Sequence, residues 1–103
     1  MKVLARKLRN HLNKEASDPR ALVVKLKNVR ENGESIGCSG FIGNLFTGEV
    51  VYINTSGKNF TSGGNVLLYR EASDFSDFTG KRNRYAYSLG ELVTNTLELC
   101  NAV

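Results

Sequence analysis

The chain has a single histidine, a single proline and only two cysteines. One histidine with two thiols as far apart as Cys38 and Cys100 offers no spacing that would hold zinc. Two thiols are also too few for a disulfide framework, and in a reducing compartment they stay free. Long apolar runs are missing, and none approaches the roughly 20 residues that cross a bilayer. The opening stretch MKVLARKLRNHLNKEAS scatters charge among its apolar residues, so it contains no signal-peptide h-region. Repeats and low-complexity tails are absent as well. Together these absences predict a cytoplasmic protein with no membrane partner, no metal and no cofactor. The tripeptides Asn54-Thr55-Ser56 and Asn59-Phe60-Thr61 match glycosylation acceptors, but without a secretion signal they read as loop composition.

What is present is ordinary globular material. The 103 residues, 41% hydrophobic and 23% charged, exclude wholesale disorder and suit one domain (1–103) around one modest core. The net charge of +4 is unevenly placed. Residues 1–34 carry nine Lys/Arg against four Asp/Glu, residues 35–78 two against four, and residues 79–103 three against two. A basic N-terminal third fits an anionic partner, nucleic acid above all. Charge of this size also serves plain solubility.

Residues 2–16 read as a helix, with Leu4, Leu8 and Leu12 on one face and Lys2, Arg6 and Arg9 turned away. Asp18-Pro19 ends it. A Val/Leu-rich strand over 21–29 runs into Asn32-Gly33, the strongest short hairpin signal. A two-residue turn there predicts Val29 opposite Ile36, Lys27 opposite Cys38 and Val23 opposite Ile42. A second tight turn at Thr47-Gly48 predicts Leu45 opposite Val50 and Gly43 opposite Tyr52. Both faces of this meander are then apolar, which predicts a sheet covered on both sides, by helices on different faces or by a second copy. A Gly/Ser-rich connection (55–65) leads to a strand over 65–70. Phe75 and Phe78 pin down an irregular segment, 82–87 suits a fifth strand, and Ser88 to Glu91 forms a capping-box pattern opening a second helix. The predicted fold is therefore α+β: an N-terminal helix, an antiparallel sheet of four to five strands built on a meander, and a C-terminal helix.

Motifs for chemistry are sparse. Gly37, Gly40 and Gly43 lack dinucleotide-fingerprint spacing, and Gly57-Lys58 is followed by Asn59 where a P-loop needs Ser or Thr. Bent or bulged strand is the plainer reading of those glycines. Cys38 is the sole candidate nucleophile, with Lys27 predicted opposite it to favour the thiolate; a small packed cysteine is the commoner case. Asp74 and Asp77 match no calcium loop and read as turn formers. The basic helix presents Lys2, Arg6, Lys7, Arg9 and Lys14, and TGKRNRYAY adds Lys81, Arg82 and Arg84 beside Tyr85 and Tyr87. Tyr85-Ala86-Tyr87 matches the aromatic-small-aromatic centre of an RNA-recognition-motif signature. The rest of that signature is missing, and the element order differs. Strand periodicity puts Arg82, Arg84 and Ala86 on one face and both tyrosines on the other, as candidates for core.

These residues point first to a small non-enzymatic binding protein that associates with nucleic acid through the basic helix and the 81–84 loop. The alternative is a protein-binding inhibitor or adaptor of the mobile-element kind, a homodimer through one apolar sheet face. A cysteine-dependent enzyme using Cys38 stands third.

Overall fold

The computed structural model describes residues 2–57 and 66–103. They form helix α1 (Ala5–Glu15), strands β1 (Leu22–Glu31), β2 (Glu34–Asn44), β3 (Val50–Asn54), β4 (Leu67–Ala72) and β5 (Arg84–Ala86), and helix α2 (Leu89–Leu99). The strands make one antiparallel sheet in the order β1-β2-β3-β4-β5. This is the expected α+β arrangement, a meander between two terminal helices. Most of the Gly/Ser-rich connection, with Asn59-Phe60-Thr61, lies outside the described residues.

Helix α1 starts later than its leucine spacing predicts, because the sheet captures the residues before it. The Ala5 N–H donates to Asn28 Oδ1 at 2.8 Å, and Thr55 Oγ1 donates to the Val3 carbonyl at 2.7 Å. Leu4, the residue at the N-cap, is extended and supplies no side-chain cap. Ala5, Leu8 and Leu12 then face inward. Burying each leucine is worth about 1.5–3 kcal/mol, which holds a helix that local sequence alone leaves marginal. A short 3-10 turn at Pro19–Ala21, with Asp18 accepting from the Arg20 N–H, redirects the chain into β1.

The hairpin turn is as predicted. Asn32 and Gly33 have φ of 53° and 78°, and Glu31 lies opposite Glu34. Two residues further on the pairing slips, so that Val29 faces Gly37 rather than Ile36. A bulge there moves every later pair by one: Asn28 lies opposite Cys38, Lys27 opposite Ser39 and Val24 opposite Ile42. A side chain at Gly37 would meet the Ser56 backbone at 2.6 Å, so close approach of a neighbouring segment demands glycine at this point. Because side chains alternate, the slip turns β1 over relative to β2. Val24 and Leu26 join Ile42, Val51 and Ile53 on the inner face, while Lys25 and Lys27 join Phe41 and Tyr52 on the outer one. The second turn is longer than predicted, closed by the Asn44 N–H on the Glu49 carbonyl at 2.9 Å, and it pairs Gly43 with Val50. That shift is even and leaves the faces unchanged.

Both helices pack on the inner face and on each other, α1 over β1 and β2, α2 over β4 and β5. Leu8, Leu12, Ile42, Ile53, Leu67, Leu92 and Leu97 form the centre of this core. The expectation of helices on opposite faces is thus corrected. Much of the outer face is covered by the chain's own segment between β4 and β5. Helix α2 opens as predicted, with the Ser88 hydroxyl accepting the Glu91 N–H at 3.1 Å and the Glu91 carboxylate accepting the Tyr87 N–H at 3.3 Å. Its far end is fixed by Asn44, which donates to the carbonyls of Cys100 and Asn101 at 2.9 and 3.1 Å.

Candidate nucleic-acid interface

The eight basic residues singled out in the sequence fall into two groups. Sheet order puts β1, under α1, at one edge and β5 at the other. Four strand spacings separate them, about 19 Å at roughly 4.8 Å each. The helix and the 81–84 loop therefore do not build one patch.

In the loop group, Glu71 already balances two cations. Its carboxylate takes Arg84 Nη2 at 3.2 Å and Lys81 Nζ at 3.8 Å. Of the three loop cations, Arg82 alone is exposed with no ion pair to the described residues. Tyr85 and Tyr87 are 41% and 66% exposed, so neither is core. The alternation along β5 is as predicted, but the inward position belongs to Ala86, which is fully enclosed against Leu67 and α2.

The helix group keeps more free charge. Arg6, Lys7 and Lys14 are exposed and have no ion pair among the described residues. Arg9 is half-buried and lies near enough to Cys38 to act on its thiol. Lys2 precedes the helix and pairs with Glu34 at 2.9 Å, which holds the Glu34 carboxyl below its usual range. Lys2, Arg6, Lys7 and Asn10 line an open cleft of about 440 Å³. The first turn of α1 contains no acidic residue. Cations there oppose the helix dipole, at about 0.3–1 kcal/mol each, so they are not present for the helix's own stability.

The outer sheet face carries a second group that the sequence reading missed. Phe41, Tyr52 and Phe78 pack with tilted or edge-to-face rings, centroids 5.2 to 6.1 Å apart, and Phe75 stands edge-on to Phe41 at 6.3 Å. Lys25 Nζ lies 4.7 Å from the Phe75 centroid. Beneath the cluster, Arg70 is 3% exposed; it donates to the carbonyls of Glu71 and Asp77 at 3.1 and 2.7 Å and stacks 4.5 Å from the Tyr52 ring. Asp77 closes the segment by accepting the N–H groups of Ser73, Gly80 and Thr79 at 2.8, 2.7 and 3.3 Å, with the Ser73 hydroxyl at 3.1 Å. Those amides pull its pKa down to about 2. Asp74 and Asp77 are thus the turn formers that their spacing suggests. The missed signal was the alternation of Lys25 and Lys27, assigned to the wrong face for want of the bulge.

Cys38 is fully buried, and desolvation raises its thiol pKa, as burial does for Cys100. Lys27 projects from the opposite face of the sheet, so the thiolate activation expected from it is not there. Among the described residues no group of histidine, cysteine and carboxylate side chains is placed to hold a metal, and no helix is long and apolar enough to cross a membrane. No protein-family model, curated protein or solved structure matches this chain.

Proposed function

We propose that this is a small non-enzymatic binding protein that associates with nucleic acid through the cationic side of α1. The observation that carries the reading is the open cleft at the start of α1, where Arg6 and Lys7 stand without a carboxylate partner among the described residues. Cations free of internal pairs are available to phosphates, and contacts of that kind give sequence-blind, salt-sensitive affinity. Lys14 extends the field along α1; in the separate 81–84 group Arg82 is free to act as a second contact, while Lys81 and Arg84, held by Glu71, contribute less. The same reading places the protein in the cytoplasm, where its two thiols stay reduced. Heparin retention and a titration of a labelled oligonucleotide across salt test it. Binding weakens steeply with salt, and Arg6→Glu/Lys7→Glu abolishes retention. Flat binding curves at about 50 mM salt overturn the reading.

A protein-binding module is the second reading. It draws on Leu45 and Phe46, two large apolar side chains left exposed on the β2–β3 turn.

A further inference from the structure

We propose that the outer sheet face around Phe78 is a stacking site for unpaired bases, so that the nucleic acid taken is single-stranded. This rests on the nucleic-acid reading above and names the form of ligand that α1 alone does not select. Phe78 is 70% exposed, yet its inner side is held by Phe41 and Tyr52. The ring is presented to solvent already ordered, so little side-chain freedom is lost on stacking. It also stands between two clefts, one of about 290 Å³ reaching Lys25 and Lys27, the other of about 230 Å³ reaching Asn54, Arg70 and Asn83. A stacking ring needs open volume beside it, and Phe78 has it on two sides.

Charge complementarity fixes the occupant. Among the described residues no carboxylate lines either cleft. The nearest acid in sequence, Asp77, is turned into its own segment by the donors of Ser73, Thr79 and Gly80. Lys27 is exposed and without an ion pair among the described residues. It lies on the same strand as Asn28, whose side chain accepts the first N–H of α1. Lys25 and Lys27 therefore supply cations beside the rings, and Arg6 and Lys7 on α1, tied to β1 through Asn28, supply a second group, matching a strand whose phosphates meet the charges while its bases reach Phe78. A duplex offers phosphates to α1 but no free base faces to Phe78.

Fluorescence anisotropy tests this with labelled oligo-dT and oligo-U of about ten nucleotides, within the usual site sizes, against a duplex of equal length. Phe78→Ala weakens binding of the single strands at least about fivefold and leaves the duplex unchanged, while Phe78→Tyr retains binding. Lys27→Gln lowers the salt slope for single strands by about 0.7. If circular dichroism shows Phe78→Ala misfolded, the exposed Lys27 variant decides. Oligo-dT against oligo-U separates DNA from RNA as the source. Single-strand binding lost in Arg6→Glu/Lys7→Glu but untouched by Phe78→Ala and Lys27→Gln overturns the stacking site and leaves the α1 reading standing. No binding of any probe to the wild type at about 50 mM salt overturns both.

Discussion

At the scale of single residues, Thr96 is the least comfortable side chain in the core. It sits inside α2, fully enclosed, and its hydroxyl has no hydrogen-bond partner among the described residues. A buried unsatisfied polar group costs about 1–3 kcal/mol, and valine has nearly the same shape without it. Thr96→Val therefore raises stability by about 1 kcal/mol, read as a higher urea midpoint with an unchanged slope. A lower midpoint would mean that the hydroxyl has a partner in solution. The glycines of β2 show how far such residue-level features are legible. That Gly37, Gly40 and Gly43 belong to bent strand rather than to a phosphate loop follows from their spacing. What each one meets does not, because the neighbours come from distant segments. Gly37 abuts the Ser56 backbone, Gly40 (φ 151°) lies against the Lys25 carbonyl, and the Phe75 ring rests over Gly43.

At the scale of elements, the segment between β4 and β5 behaves as a strap over the sheet, pinned by Arg70 from below and by Asp77 from within. The folded-state pKa of Asp77, about 2, is below its ordinary 3.8. The carboxylate's contribution is accordingly complete above about pH 4 and is lost as pH falls toward 2. Near-UV circular dichroism of the tyrosines should fall over that window, before far-UV signal reports loss of the sheet. Asp77→Asn should weaken the strap at neutral pH and flatten the same transition. A wild-type signal constant from pH 5 to 2 would show that the strap does not depend on this carboxylate. Element order and type were readable from periodicity, turn residues and caps, since those signals are local. The bulge at Gly37 was not: an extra residue leaves no mark on alternation, yet it reverses which face of β1 is buried. That one slip hid the pairing of Lys25 and Lys27 with the aromatic face. A similar ambiguity affected β5, where alternation fixes two faces without saying which is inward, and small Ala86 took the position under α2 that the tyrosines were expected to fill.

At the scale of the whole molecule, the sheet offers little for a second copy to cover. Helices fill the inner face, and Phe41, Val50 and Leu68 on the outer face are all buried within the chain itself. The edges are guarded too. Strand β1 carries Lys25, Lys27 and Arg30 along its length, and β5 is only three residues long; charge and shortness are both devices that discourage edge pairing. Leu45 and Phe46 on the β2–β3 turn, Phe78 between β4 and β5, and Tyr85 and Tyr87 at β5 remain exposed, but no one of these groups approaches the about 800 Å² that a stable interface buries on each partner. The protein should therefore be monomeric without nucleic acid, and light scattering at micromolar concentration should return a mass near 11.4 kDa. A mass twice that value, falling back in Phe46→Ser, would instead place a homodimer on the β2–β3 turn and favour the protein-binding reading. The same measurement separates two origins of any cooperative binding to oligonucleotides: a monomer that assembles only along a strand, or a dimer formed beforehand.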